Sequence, residues 1–245
     1  MRIQKKAHSL RKNKFGKIIF EDKDFFILDK FSGINSTDIS PLICHRLDRD
    51  TSGLIIVAKN KKTKEVIQEQ FRKKKISKKY LALVLGKVEP KFKVEGFIFR
   101  DRKAKEKRKF IPSFEILDFE ISGKKHQKYS ETKFKRLKVY QQNIFPKPDQ
   151  RDLNYFSLIQ AMPITGRTHQ IRLHLQSCHQ PILGDDLYSG KIMKKVNEKL
   201  KIPRLLLHAY VLKMRHPITN KLVNFKSEIP TDFNQILGKL KRKKC

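Results

Sequence analysis

Acids are scarce in this chain. Only 24 Asp and Glu stand against 57 Lys and Arg, a formal net charge of +33, and the first twenty residues contain no acid at all. Self-repulsion on that scale opposes compaction unless a polyanion or counterions offset it. Cysteine is scarce too: Cys44, Cys178 and Cys245 are odd in number and show no CxxC spacing. That excludes a disulfide framework or a zinc ribbon and points to a reducing compartment. No apolar run is long enough to span a bilayer, and no basic amphipathic helix carries an aromatic or leucine face for a membrane surface. The start, "MRIQKKAHSLRKNKF", lacks the apolar region of a secretory signal, and it is Lys-rich rather than Arg- and Ser-rich like a transit peptide. Cytoplasmic localisation and no membrane partner are therefore expected. Pro- or Gly-rich linkers and internal repeats are also missing, which argues for one catalytic domain rather than a string of modules.

What the chain does have is positive charge in blocks. "RKKKISKK" (72–79), "RDRKAKEKRK" (100–109) and the closing "KLKRKKC" are the densest. A nucleic acid fits such a surface best, because each phosphate contact releases condensed counterions. Between the blocks run short apolar stretches. "KIIFEDKDFFILDK" (17–30) reads as two strands around an acidic turn, and "GLIIVAK" (53–59) as a strand buried on both faces. "YLALVLGKV" (80–88), "VEGFIFRD" (94–101, with Gly96 as a bulge), "SETKFKRLKVY" (130–140), "NYFSLIQAMPI", "LLLHAYVLKM" and "LVNFKS" read as further strands. Residues 61–74 carry Val66, Ile67 and Phe71 at helical spacing. A second helix is expected over "THQIRLHLQSCHQ", with Thr168 as N-cap and Ile171, Leu175 and Cys178 on one face. The predicted class is α+β, a largely antiparallel mixed sheet flanked by helices and loops.

One charged stretch, "HRLDRDTSG" (45–53), leads straight into the most apolar strand. An aspartate there is a structural ion pair in most proteins. To act as a nucleophile, Asp48 must stay ionised in a covered pocket, which a nearby guanidinium achieves by lowering its pKa. Arg46, Arg49, Arg167 and Arg172 are all candidates for that role. Asp50-Thr51-Ser52-Gly53 only imitates an aspartic-protease turn: Ser52 interrupts the tripeptide, and those enzymes pair two such loops. Turn hydrogen bonding is the simpler reading of Thr51 and Ser52. His169, His174 and His179 recur every five residues, a step that turns about 140° on a helix, so no metal site is expected from them. Tyr80, just after a basic block, suits stacking against a base.

Four segments then carry a resemblance: "HRLDRDTSGLIIVAK", "KKYLALVLGKV", "GRTHQIRLHLQSCHQPILGDDLYSG" and "LLLHAYVLKMRHPITNKLVNFKSEIP". Together, and in this order, they resemble the RluA-type family of RNA pseudouridine synthases over residues about 17 to 232. The resemblance implies the pseudouridine synthase fold, with a catalytic cleft across the sheet, and isomerisation of uridine to pseudouridine in rRNA or tRNA without cofactor or metal. It implies Asp48 as nucleophile, Tyr80 as the residue contacting the target base, and Arg172 as the partner of Asp48. Arg46 is implied as the side chain that enters the RNA stack where the flipped base was. Arg167, Thr168, His169 and Gln170 match the adjoining RNA-side loop, and Arg49 is a further RNA contact. A non-catalytic RNA-binding or ribosome-assembly factor on the same fold is the other reading. It is disfavoured because binding alone needs no carboxylate facing phosphates.

The expected organisation is a basic, flexible N-terminal arm (1–16), a catalytic domain (17–232) and a basic C-terminal tail (233–245), with no S4-type domain, acting as a monomer. Two departures from the family stand out. Its K-P-x-G is "KFSG" here, Lys30 to Gly33, and only Ile34 to Cys44 separate that from His45.

Overall fold

The computed structural model describes residues 12–101, 103–104, 106–113, 127–146 and 153–243. Most of the expected N-terminal arm, and the end of the expected tail, lie outside these. The described residues fall into two compact units. The first lies within Met1–Ile76 and Val211–Ser227, and the second within Ser77–Tyr210 and Glu228–Cys245.

In the first unit β1 (Lys12–Asn13), β2 (Gly16–Glu21), β3 (Phe25–Lys30) and β4 (Ser52–Ala58) pair in chain order, each antiparallel to the next. Every residue of β4 is buried, as its unbroken apolar run requires. Helix α1 (Lys61–Arg72) follows, capped by Asn60, whose side chain accepts the Thr63 N–H at 2.8 Å. It buries Thr63 and Ile67 and leaves Val66 exposed, so its inner stripe is narrower than the spacing suggested.

The second unit opens with β5 (Ser77–Leu85), β6 (Lys91–Arg100), β7 (Arg108–Pro112), β8 (Lys128–Gln141) and β9 (Tyr155–Pro163). Its sheet runs β5-β9-β8-β6-β7, antiparallel at each step. Gly96 is no bulge: it pairs in regular register with both Ser130 and Pro112. It is glycine because a Cβ there would stand 2.1 Å from the carbonyl oxygen of Ile111 and 2.7 Å from the Phe110 ring. Two helices follow, α2 (Gln170–Ser177) and α3 (Lys191–Leu200); the latter buries Met193, Val196 and Leu200 under a lysine-rich outer face. Strand β10 (Leu207–Arg215) begins in this unit and ends in the first, where it pairs with β11 (Leu222–Lys226).

The stretch from residue 233 is not a tail over its described length. Helix α4 (Thr231–Lys239) buries Phe233 and Ile236, and β12 (Lys241–Lys243) adds to the edge of β8. Net charge hides this: between the lysines stand Phe233, Ile236 and Leu240, all in one core cluster with Leu83, Phe156 and Val196. Burying such a side chain stabilises by about 1.5–3 kcal/mol, more than solvating the neighbouring lysines costs.

Two fully buried histidines sit in this unit. Burial pushes His174 down to about 3. Burial first, then the charge of Arg204, push His208 down to about 4. His174 shows why. Ser130 Oγ donates to the Gly96 carbonyl at 3.0 Å, so His174 Nε2–H donates to Ser130 Oγ at 2.9 Å. Nδ1 is a buried lone pair without a partner, and protonating it would strand an N–H in the core. The unfolded chain takes up these protons near pH 6.5 and the folded chain does not. The stability gained is therefore complete above about pH 6.5 and is lost as pH falls towards the folded values. Between pH 7 and 5 the unfolding free energy should drop steadily, by about 2 kcal/mol per histidine, carrying the urea midpoint down with it, and His174→Met should flatten the slope. A midpoint that does not move over that range would contradict this.

Candidate active site

Asp48 heads the turn that feeds β4: its carbonyl accepts the Thr51 N–H at 3.1 Å. The carboxylate is half-buried, and the Thr51 hydroxyl, expected to bond within the turn, is buried without a partner. What holds the turn is the preceding "KFSGINS" segment. Lys30, fully buried, donates its three ammonium protons to the carbonyls of Phe31 (2.8 Å), Ile34 (2.9 Å) and Arg49 (2.9 Å). Gly33 N–H also reaches Arg49 O at 2.9 Å, and Ser32 Oγ reaches Asp50 O at 2.7 Å. Ser36 Oγ donates to Leu47 O at 2.8 Å and accepts Leu47 N–H at 3.0 Å. The backbone on both sides of Asp48 is thus pinned. Arg46 and Arg49 stand exposed beside it. The Arg49–Asp50 pair, 3.1 Å apart, is open to water and contributes little.

Phe31 occupies the place of the family's proline. Its N–H donates to Phe15 O at 2.9 Å, a bond proline could not make. The hydrogen bond replaces ring stiffness as the restraint on this loop.

The remaining expected site residues all lie in the second unit. Tyr80, 9% exposed, stands opposite Ala161 on β5. Lys78, two residues earlier, projects to the same side of the strand. It was not separable by sequence from its basic block, yet it alone is sunk against the "GRTHQ" loop. Its Nζ lies 3.5 Å from where a Cβ on Gly166 would be, and burial lowers its pKa to about 8.

Helix α2 begins one residue later than Thr168 would set it as N-cap. His169 holds that place in the left-handed conformation, φ 59°, with no side-chain cap. The loop before it is shaped by Gln170, one of the residues that the resemblance makes RNA contacts. Its Oε1 accepts from Thr165 Oγ1 (2.7 Å) and Arg167 N–H (2.9 Å). Its Nε2 donates to Glu131 O and Thr132 Oγ1 (both 2.9 Å). A carboxamide has two lone-pair directions and two protons. All four are spent inside the protein, and the side chain is 4% exposed. Gln170 moulds the loop, while Arg167 stays exposed, its Nε on Tyr129 O at 3.0 Å. Thr168 and His169 are half-buried.

Arg172, one turn into α2, is 6% exposed. Its Nε and Nη2 are gripped by Asp185 at 2.8 and 2.7 Å, the carboxylate itself 2% exposed. The sequence assigned no role to Asp185. Its Oδ1 also accepts the N–H groups of Leu187 and Tyr188, both at 3.1 Å. Gly184 before it has φ +76°, and a Cβ would meet Arg204 O at 1.9 Å, so only glycine delivers Asp185 here.

Among the described residues, the group with metal-ligating atoms close together is Asp22, Asp24 and His216, within 4.8 Å of one another. Asp22 is committed elsewhere. Its Oδ1 accepts from Asp24 N–H and Phe25 N–H, and its Oδ2 faces His216 Nε2 at 2.8 Å. His216 Nδ1 accepts from the backbone of Ile218 and Thr219. The trio ties two turns of the first unit together.

Asp185→Ala leaves the Arg172 guanidinium buried with its fork open. A loss of about 3–5 kcal/mol in urea unfolding is expected. Asp185→Asn, which keeps an acceptor for the turn, should lose visibly less; equal losses would show that the charge alone matters and the turn acceptor does not.

Residues 21–177 match the RNA pseudouridylate synthase family. "Ribosomal large subunit pseudouridine synthase C" of Pasteurella multocida is 32% identical over 270 residues, covering 100% of this chain and 76% of that protein. The protein of the same description from Haemophilus influenzae is 33% identical, covering 93% and 69%. "Ribosomal large subunit pseudouridine synthase D" of Borreliella burgdorferi is 32% identical, covering 88% and 66%. Among solved structures, "Human RNA Pseudouridylate Synthase Domain Containing 1" shares the fold at a TM-score of 0.72 and 22% identity, covering 94% of this chain and 89% of that one. By sequence over nearly its whole length, the chain belongs to the RluA-type family of RNA pseudouridine synthases.

Proposed function

We propose that Asp48 is the nucleophile of a synthase acting on large-subunit ribosomal RNA. The relatives named for that RNA support the substrate. The observation that carries the chemistry is the Asp48 turn, with its backbone pinned on both sides by Lys30, Ser32, Gly33 and Ser36. A nucleophile must be held at one angle to its target. A merely solvated ion pair at a strand end needs no such bracing.

The reaction conserves atoms. A stacked uridine hides its glycosidic bond, so it is first extruded, at a cost of a few kcal/mol. Arg46, exposed two residues before Asp48, fills the gap left in the stack. A carboxylate oxygen of Asp48 attacks at C1′ of the ribose or at C6 of the ring, and the C1′–N1 bond breaks. The uracil turns and rejoins C1′ through C5, the bond to the Asp48 oxygen breaks and regenerates the carboxylate, and C5 gives up its proton while N1 gains one. Tyr80 contacts the base and assists that proton transfer. Arg172, gripped by Asp185, is the arginine that the resemblance makes the partner of the nucleophile. Lys78, Arg167, Thr168 and His169 form the RNA-side surface of the second unit. The excess of basic residues elsewhere grips phosphates without reading sequence.

Pseudouridine mapping of total RNA with and without the gene tests this directly. One or more positions in large-subunit rRNA should revert to uridine. Asp48→Asn should fail to restore them, while Asp50→Asn, whose carboxylate only pairs with exposed Arg49, should succeed. Restoration by Asp48→Asn would overturn Asp48 as the nucleophile, and loss confined to transfer RNA would refute the substrate.

A further inference from the structure

Tyr188 touches the side chains at both ends of the first turn of α2. Its hydroxyl lies 2.7 Å from His169 Nδ1 and accepts the backbone N–H of Arg108, from β7, at 2.9 Å. Its ring lies against the Arg172 guanidinium, Cζ 5.1 Å from the ring centre, and meets the His169 imidazole edge-on at 72°. Its own N–H sits on Oδ1 of Asp185, the same oxygen that holds Arg172 Nη2. Nothing in the sequence singled this residue out.

Counting protons gives these contacts a direction. A phenol has one proton and two lone pairs. One lone pair takes the Arg108 N–H, so the hydroxyl proton is free to point at Nδ1. Burial pushes the Tyr188 pKa up, which keeps that proton in place. With Nδ1 as acceptor, the proton of a neutral His169 must be on Nε2. His169 needs an anchor for a second reason. It is a non-glycine residue at φ 59°, a conformation that persists only where its surroundings hold it.

We propose that Tyr188 is a positioning residue for the reaction. Its hydroxyl fixes His169 as the Nε2–H tautomer, and its ring fixes the plane of Arg172. The RNA-side loop and the charged arginine of α2 are thereby presented in one orientation. The proposal rests on the reading of His169 as an RNA-side residue. It adds a residue that touches neither RNA nor reacting atoms and acts through two that do.

Tyr188→Phe removes only the hydroxyl and keeps the ring over Arg172. In nitrogen-resolved NMR of the folded protein, His169 should pass from a single Nε2–H tautomer to a mixture. With ribosomal RNA purified from the gene-deletion strain as substrate, kcat should fall about 3–15-fold. Tyr188→Leu, which also loses the ring, should fall further. The decisive measurement is a double-mutant cycle with His169→Ala. If the hydroxyl acts through His169, adding Tyr188→Phe to His169→Ala costs nothing more. Additive losses, or an unchanged tautomer in Tyr188→Phe, overturn the proposal while leaving His169 in its role. A silent His169→Ala sinks the reading of His169 itself and takes the proposal with it.

Discussion

A guanidinium cannot be buried unless its fork is closed, and the second unit is arranged around closing the fork of Arg172. Asp185 does so with both carboxylate oxygens. Delivering that carboxylate demands a glycine in left-handed conformation at Gly184, and the oxygen nearest Arg172 also ends the next turn at Leu187 and Tyr188. The turn in turn sets the Tyr188 ring against the same guanidinium. Such a pair adds little net stability over an apolar filling, since desolvation cancels most of the attraction. What it adds is orientation: a planar cation held on edge and face has no freedom to swing.

The first unit handles its own buried cation by different chemistry. Lys30 is a point charge with three protons, and three carbonyls from two separate loops converge on it. An arginine could not make this knot, because its donors lie in one plane and fit carboxylates rather than a pyramid of carbonyls. The two cations therefore use opposite strategies to one end. Among the described residues the buried Lys and Arg side chains are Lys30 and Arg172, and each braces a segment that carries a candidate site residue.

How much of this was legible follows from what each feature depends on. Strands were readable because a buried strand needs a run of apolar residues, and β4, β5 and β9 supply one. Helix α3 was hidden by lysine, although Met193, Val196 and Leu200 do fall at helical spacing. Its apolar stripe is three residues wide, and charge dominates any average over it. The motif residues Asp48, Tyr80 and Arg172 were visible by resemblance. The residues that fix them were not. Asp185, Tyr188 and Lys78 act through contacts between segments far apart in the chain, and no local pattern records that. Gln170 shows the reverse: it sits in a motif read as facing RNA, and its four bonds turn inward.

The departure at Phe31 bears on how a family motif survives the loss of a signature residue. Proline would stiffen the chain through its ring and give up a donor. With phenylalanine, φ is freer, and the regained N–H is spent on Phe15 O, so the strand pairing of β2 and β3 extends by one more bond. The neighbouring contacts do not depend on residue 31 at all. Lys30 uses its ammonium, Ser32 its hydroxyl and Gly33 its backbone, and each lands on Arg49 or Asp50 just past the candidate nucleophile. The short segment from Ile34 to Cys44 adds only Ser36 and its paired bonds to Leu47. Restraint on Asp48 is thus distributed over at least four side chains and backbone groups. A single substitution at the proline position, or a trimmed loop beyond it, shifts the restraint among them without releasing the carboxylate.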